Sequence, residues 1–472
     1  MKTLVFFFFM LTQSHADHPA LQTRLTHKSL THGSQMMSVL IQQKLKSTKF
    51  PEVHGNVDIH IGTIDYTLSN MQIVRSSIAG FTLAFVQGTG VSVKISHLSL
   101  AVTGRWATHF GFIHDSGSFD LWVNSINVNT LLEFSDDESA RVFISIISCT
   151  ADVTGVVVNF HGGASFIFQP FVTQFRGQIA DMIHQQICPA VNQVIDDVEK
   201  HLQQISVNVA VNQFIYLSIP LTSSPIVTEN SFQLDMKGEF YSISSPSEPP
   251  FSPEVFDLPS TEDFMMSVGL SEFFMNSAVF SYFSAGLLHI HITDDMIPKS
   301  SPIHLNTSQF SIFIPQLSTL YPDMKMQVML YASETPMFSF RPGEMSLHVP
   351  ASAKFSAVQQ NGTLTPLFRL DVNGFFSGNA QIQNQHLTAA FKMNNLTLAL
   401  GSSEIGDFKI EALDRVVKMV VNMLVLPKLN EQLKTGVELP VPQGFSLSET
   451  NIILKNGFLL ILTDVNVTSS HL

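Results

Sequence analysis

The sequence predicts an α+β protein made of two similar-sized β-rich halves, each with one long amphipathic helix, joined by a proline-rich connector. Many segments alternate apolar and polar residues with period two, as half-buried strands do. Two long segments instead repeat apolar residues every three or four positions, as helices do. Five prolines near the middle of the 472 residues exclude helix and central strand, because proline lacks an N–H donor and fixes φ.

The first half begins with a helical pattern over residues 24–50, which Pro51 ends. Its clearest helix runs from Pro170 to about Ile205, with an apolar stripe of more than thirty residues and Pro189 inside it. Between these helices lie strand patterns at Val57–Ile61, Val91–Ile95, Phe119–Val123 and Arg141–Asn159.

The second half repeats this plan without obvious residue identity. A strand pattern at Leu287–Ile292 precedes a short helical segment at Gln309–Leu320. More strands run to about Leu400, and a long amphipathic helix spans Glu404 to about Lys434, interrupted by Pro427.

A long apolar helix beside a curved antiparallel sheet can line the inside of an open barrel and leave an apolar tunnel. The alternative is that helix and sheet close into an ordinary core, and periodicity by itself favours this alternative. The composition, 45% hydrophobic with 39 Phe, fits either large cores or an apolar cavity.

The first sixteen residues have the pattern of a secretory signal peptide. Lys2 precedes an apolar run from Leu4 to Leu11, and Ser14-His15-Ala16 resembles a cleavage site. The run is far shorter than the ~20 residues that span a bilayer, so an uncleaved anchor is the weaker interpretation. We therefore expect a secreted, extracellular, soluble chain.

Two cysteines, Cys149 and Cys188, are present. In an oxidising compartment they most simply form one disulfide, with two free thiols as the alternative. Four N-glycosylation sequons, all in the second half, fit a secreted glycoprotein; they start at Asn306, Asn361, Asn395 and Asn466.

The charge balance argues against capture of nucleic acid or of anionic membrane by a broad basic surface. The net charge is −13. Residues 17–250 and residues 251–472 each carry 12 Lys and Arg against 19 Asp and Glu.

Several motifs resemble the bactericidal/permeability-increasing and lipopolysaccharide-binding protein family. They are Asp235–Ser242 with the following prolines, Gly269–Asn276, Thr293–Lys299, Leu424–Lys428 with Asn430-Glu431, and the Cys149/Cys188 spacing. The resemblance is collinear from about residue 20 to the end, and the wider family includes phospholipid and cholesteryl ester transfer proteins.

The resemblance implies an elongated boomerang of two similar β-barrel domains around a central antiparallel sheet, with a phospholipid in an apolar tunnel of each barrel. The expected limits are a signal peptide at 1–16, an N-terminal barrel at 17–235, the linker and central sheet at 236–263, and a C-terminal barrel at 264–472. The expected tunnel residues are Leu40, Ile41, Ile187, Val191, Val194, Ile195 and Val198.

In the family's antibacterial members a basic tip on the first barrel meets lipopolysaccharide phosphates. Here Lys44, Lys46 and Lys49 are kept, but the loop that carries several lysines in those relatives has only Arg105 as a permanent charge. These four residues are the expected phosphate contacts. The alternative is that the lysines are the solvated end of a helix, where cations are favoured anyway. Trp106, Phe110 and Phe112 could insert into a membrane or pack on the barrel.

No residue pattern indicates an enzyme. The sequence has no G-x-S-x-G elbow, P-loop or H-E-x-x-H motif. His289 and His291 share one strand face, but two histidines alone are weak support for a metal site. We expect no metal and no cofactor, with phospholipid as a bound ligand.

The predicted function is a secreted, antimicrobial lipid-binding protein of innate immunity that binds lipopolysaccharide or bacterial phospholipid, extending to killing of Gram-negative bacteria. The expected partners are these lipids and the bacterial outer membrane surface, with no nucleic acid, and the chain is expected to be a monomer. The alternative is a phospholipid carrier or transfer protein without lipopolysaccharide binding or antibacterial activity.

Overall fold

The structure is a computed structural model that describes residues 18–47, 50–59, 62–163, 172–297, 299, 301, 303–438 and 445–467. The predicted signal peptide at residues 1–16 and Lys49 lie outside the described residues.

The described chain begins with a strand, β1 (Leu21–Thr26), followed by helix α1 (His27–Ser47). The helical pattern predicted from residue 24 is therefore wrong at its start. Residues 21–26 pair on both sides with other strands, and this tertiary pairing overrides the local periodicity.

The first half is built on one sheet of five antiparallel strands in chain order. Four of the strands are 20 to 25 residues long, far longer than the five or six residues of an average strand. The sheet consists of β2 (Val53–Ile59), β3 (Gly62–Val86), β4 (Gly90–Phe110), β5 (Ile113–Asp136) and β6 (Val142–His161). The predicted long helix follows as α2 (Val172–Gln203), with Pro189 inside it.

A region of short strands joins the two halves. Three of these strands form a small sheet in the order β11-β8-β7. Gly238, at φ +63, separates β10 from β11, so the motif Asp235–Ser242 spans two strands in different sheets. The short strands are β7 (Asn208–Ala210), β8 (Ile215–Ser218), β9 (Ile226–Val227), β10 (Ser231–Met236) and β11 (Glu239–Ser242).

The proline-rich connector, residues 243–265, contains no helix or strand, as its prolines predict. The connector packs against the central sheet. Phe256 and Leu258 are buried against the central sheet, and Phe256 stacks on Phe458 with ring centroids 4.8 Å apart. Gly269 makes this packing possible, because a Cβ there would lie 2.5 Å from the Phe256 ring.

Strand β12 (Met266–Ser271) leads into α3 (Glu272–Ser284), a helix that the periodicity did not predict. Ser271 caps this helix by accepting a hydrogen bond from the Phe274 N–H at 3.2 Å. The apolar residues of this helix are distributed around its whole circumference, so the sequence shows no amphipathic stripe there.

The second half is built on a seven-stranded sheet in the order β13-β14-β16-β17-β18-β19, with β15 paired to β16. Its strands are β13 (His289–Ile292), β14 (Lys325–Ala332), β15 (Met337–Arg341), β16 (Glu344–Val358), β17 (Leu364–Gln383), β18 (His386–Ser403) and β19 (Val437–Glu438). Its helices are α4 (Thr307–Phe310), α5 (Gln316–Leu320), α6 (Glu411–Val420) and α7 (Leu426–Thr435), with a π-helical turn at Val421–Val425. The long helix predicted from Glu404 thus begins seven residues later.

The central sheet contains strands from both ends of the chain, in the order β20-β21-β12-β1-β10-β9. Strands β20 (Phe445–Leu454) and β21 (Phe458–Val467) close the chain. Side chains of this sheet link the two halves. Lys28 donates to Asp464 at 2.6 Å, and the half-buried Arg24 guanidinium donates to Gln233 and to the Leu258 carbonyl. Burial lowers the pKa of Arg24, but the nearby Asp235 and Asp257 charges oppose that shift.

Candidate functional site

The clearest cavity lies in the second half, between the seven-stranded sheet and the helix α6. Its empty space, counted together with the part that is open to solvent, is about 840 Å³. Every lining residue described is aliphatic, aromatic or glycine. They are Ile292, Ile297, Leu305, Phe310, Val328, Leu330, Val349, Ala351, Ala353, Phe355, Val372, Gly374, Phe376, Leu396, Val416, Val417, Val420, Val421 and Val425.

Helix α6 and the π turn supply five valines to this lining. The stiff, branched valine side chains are short, so they leave space that longer side chains would fill. Pro427 lies just after the π turn and lacks the N–H that an α-helix needs there. The local sequence therefore explains the irregular helix, and the irregular helix shapes the cavity wall.

Asn430 holds the end of this helix against the sheet. Its Oδ1 accepts from the Phe391 N–H at 2.8 Å, and its Nδ2 donates to the Phe391 carbonyl at 2.8 Å. The amide thus pairs with the edge of β18 as a neighbouring strand would. Asn276 on α3 does the same with Phe338, at 2.6 and 3.1 Å. These contacts give a physical role to two asparagines of the sequence motifs.

In the first half, helices α1 and α2 cover the two edges of the five-stranded sheet. The Leu83 N–H on β3 donates to Ser34 of α1 at 3.1 Å. The Ile144 N–H on β6 donates to Glu199 of α2 at 2.9 Å. The predicted disulfide is formed between Cys149 of β6 and Cys188 of α2, which confirms that prediction.

Between these helices the inner face of the sheet is apolar and only partly buried. Buried clusters occupy its two ends, one around Phe119 and Ile179 and one around Phe85 and Phe232. The stretch between them carries half-buried apolar side chains at Phe81, Leu83, Val91, Val93, Ile95, Ile144 and Ile146. We call this stretch, with the facing parts of α1 and α2, the N-terminal groove.

The expected tunnel residues lie on the two groove helices. Ile187 and Val191 pack against the buried cluster, and Ile41 and Ile195 are half-buried. Val194 and Val198 are 55% and 41% exposed. The side chain of Leu40 lies outside the described residues. Their role as a lipid tunnel stays a prediction.

The hairpin that joins β4 to β5 carries the expected tip. Trp106 packs inward, 3% exposed, with its ring edge-on to Phe160 at 6.1 Å. Phe110 is partly buried, whereas Phe112 at the turn is fully exposed. Trp106 and Phe110 therefore pack on the domain, and of these three aromatic residues only Phe112 projects into solvent, where it could contact a membrane.

Arg105 is exposed on β4, opposite Ser69 and Ser118. Lys44 and Lys46 lie near the end of α1, but their side chains lie outside the described residues, as does Lys49. A phosphate site made of these four residues stays a prediction.

A cluster of titratable groups lies at the junction of the halves. Glu239 is 2% exposed, and its Oε2 lies 3.1 Å from the Lys237 Nζ. Burial and the neighbouring Glu248 carboxyl raise the pKa of Glu239 to about 7, against the lowering effect of Lys237. Tyr241 donates to Glu248 at 2.9 Å, and burial raises the pKa of this tyrosine too. The cluster thus binds one proton more readily than an exposed carboxylate would.

The part of the chain that the structure describes contains no group of three or more His, Cys, Asp or Glu placed to hold a metal. His289 and His291 have ring centroids 5.7 Å apart, and their Nδ1 atoms contact the Gly286 carbonyl and Gln327. None of the described helices is both long enough and apolar enough to cross a membrane.

The residues that line the cavity of the second half were not predicted from the sequence. The expected tunnel residues came only from the first half, although the valines of α6 formed a visible stripe. Because the facing residues come from five strands and a connecting segment far apart in the chain, periodicity alone could not assemble them.

Comparison with known proteins covers almost the whole chain. Residues 30–205 match the N-terminal domain and residues 209–467 the C-terminal domain of the LBP / BPI / CETP family. The bactericidal permeability-increasing protein of Sebastes schlegelii is 36% identical over 453 residues, 96% of each chain. The human lipopolysaccharide-binding protein is 27% identical over 450 residues, 95% of this chain and 94% of that one.

A crystal structure of a lipopolysaccharide binding protein superposes with a TM-score of 0.62 at 23% identity, covering 95% of this chain and 99% of that one. The predicted fold class is confirmed: two α+β halves dominated by sheets, with a central antiparallel sheet between them.

Proposed function

The chain belongs to the LBP / BPI / CETP family, and from this premise we propose that it binds the acyl chains of phospholipid or lipopolysaccharide in two apolar sites. One site is the cavity of the second half and the other is the N-terminal groove. The observation that carries the proposal is the cavity lining, in which none of the described residues has a polar side chain. We propose further that the protein is secreted, monomeric, acts in innate immunity and has no catalytic activity.

Acyl chains suit these sites because they need apolar surface and no specific partner. Each CH₂ group removed from water contributes about 0.8 kcal/mol. A headgroup needs hydrogen bonds or ion pairs, which the cavity lining does not offer. We therefore expect the lipid headgroup to stay outside the cavity, toward solvent.

The acyl-chain proposal is tested by extracting lipid from the purified full chain and identifying it by mass spectrometry. We expect acyl lipids at up to two molecules per chain. Ala353→Phe should fill the cavity of the second half and lower the yield by about one molecule. Ala399→Phe, the same change at an exposed position of β18, should leave the yield unchanged.

Two well-folded preparations without bound lipid would contradict the proposal. So would an Ala353→Phe variant that folds and carries the same amount of lipid as the unchanged chain.

The second candidate function is a phospholipid carrier that does not bind lipopolysaccharide. The reduced basic tip favours it, because lipopolysaccharide phosphates need charge-assisted hydrogen bonds and the tip of the β4–β5 hairpin, residues 104–114, has Arg105 as its single Lys or Arg. The net charge of −13 adds a repulsive background to any anionic surface. Killing of Gram-negative bacteria belongs to the first candidate only.

Titration with lipopolysaccharide across salt concentrations separates the two candidates. Capture through phosphates should weaken steeply as salt rises, whereas occupancy of an apolar site should hardly change. A variant with Lys44, Lys46 and Lys49 all changed to Ala should lose the salt-sensitive part. If the triple variant binds lipopolysaccharide as tightly as the unchanged chain, the basic tip is not a phosphate site.

A further inference from the structure

An exposed aromatic ring lies on the outer face of the seven-stranded sheet. Phe375 is 43% exposed, although the next residue, Phe376, is buried and lines the cavity. The Phe375 ring stacks on His348, with ring centroids 4.7 Å apart and planes 12° apart. The stacking thus holds the ring in one orientation. Because its exposed surface is apolar, removing that surface from water would be favourable in free energy.

One of the four sequons lies directly beside this ring. His348 pairs with Phe375 across β16 and β17, and Phe375 pairs with Asn395 across β17 and β18. The three residues therefore form a row on one face of the sheet. Side chains that oppose each other in this way have Cβ atoms about 4.5–5.5 Å apart.

The Asn395 sequon is also presented to solvent. Asn395 and Thr397 are exposed, while Leu396 between them is buried. The Asn395 Oδ1 accepts from the Leu396 N–H at 2.9 Å, and its Nδ2 donates to no residue that the structure describes. The atom to which a glycan would be attached is therefore available.

We propose that Asn395 is N-glycosylated and that the first sugar packs its apolar C–H face on the Phe375 ring. In the transfer, Nδ2 forms a bond to C1 of the sugar. The bond from C1 to the diphosphate of a lipid-linked oligosaccharide donor breaks, and the amide nitrogen loses a proton. This modification goes beyond lipid binding and rests only on the secretion of the chain.

The other sequons have different surroundings. Asn466 opposes Ser446, and Asn361 accepts from the Thr363 N–H in the turn between β16 and β17. Asn306 caps α4, and its neighbour Thr307 is fully buried. A glycan at Asn466 would lie beside the Ser446 hydroxyl, which makes Asn466 a matched control.

The test compares thermal unfolding of the full chain and its variants, all expressed in a secretory eukaryotic host, after glycopeptide mass spectrometry has measured occupancy. Thr397→Ala removes the sequon and keeps Asn395, while Thr397→Ser keeps the sequon. We expect Thr397→Ala to lower Tm by about 2–4 °C. In a Phe375→Ala background the same change should lower Tm by less than about 1 °C, because the ring is gone.

Nuclear Overhauser contacts between sugar protons and the Phe375 ring should accompany an occupied Asn395. Asn466→Gln should lower Tm equally with and without Phe375. An unoccupied Asn395 would overturn the proposal, as would Tm losses that simply add in the double variant. Either result leaves lipid binding untouched, since lipid yield is measured separately.

Discussion

The two halves of the molecule attach their long helices to their sheets by different contacts. Each half holds a long helix against its sheet. The first half uses a covalent link, Cys149–Cys188, and leaves its groove helices partly exposed. The second half uses the Asn430 amide pair, and a π turn lines its cavity. The two halves thus attach their long helices by different contacts.

The largest expected effect comes from removing the disulfide. Changing both Cys149 and Cys188 to Ser should destabilise the first half by about 4 kcal/mol, because the bond closes a loop of 39 residues in the unfolded chain. Differential scanning calorimetry should show the first half unfolding earlier, with the second half unchanged. If both halves lose stability together, the comparison of two separately fastened halves is wrong.

The next effect concerns the junction. The pKa of Glu239 is about 7 when folded, against an ordinary value of 4.5. The folded state therefore binds a proton that the unfolded chain releases, so this stability is full below about pH 4.5 and is lost as pH rises through 7. Glu239→Gln should make the protein more stable at pH 8 by up to about 3 kcal/mol, with little change at pH 4.5.

Urea unfolding at several pH values measures this difference. The exposed Glu254→Gln, in the proline-rich connector, is the control and should leave the pH profile unchanged. An unchanged pH profile for Glu239→Gln would mean that Glu239 stays ionised when folded.

A smaller effect should follow from loss of the Asn430 side chain. Asn430→Ala leaves the Phe391 N–H and carbonyl without their partner, which should cost about 2 kcal/mol of stability. Because α7 directly follows the π turn that lines the cavity, exchange of bound lipid from the second half should become faster. Gln432→Ala, an exposed change on the same helix, should do neither. If Gln432→Ala speeds lipid exchange as much as Asn430→Ala does, the Asn430 hydrogen bonds do not control access to the cavity.

The smallest effect on stability is expected at the exposed groove valines. Val198→Asp should change the free energy of unfolding by no more than about 0.5 kcal/mol, since the side chain is 41% exposed. It should nevertheless lower lipid yield from the first half, because a carboxylate would face the acyl chain. Gln193→Asp adds the same charge to the same helix at an exposed position and should leave the yield unchanged. Equal yields from both variants would exclude α2 from the lipid site.

Local sequence patterns predict the repeated plan, the proline-rich connector, the disulfide and the long helix α2. Each follows from local chemistry: periodicity, missing donors or the pairing of two cysteines. Long-range packing makes residues 21–26 a strand, forms α3, and turns Trp106 inward while Phe112 projects. It also assembles the cavity lining of the second half. These outcomes depend on strand partners and facing side chains that lie far apart in the chain, and no local pattern records such partners.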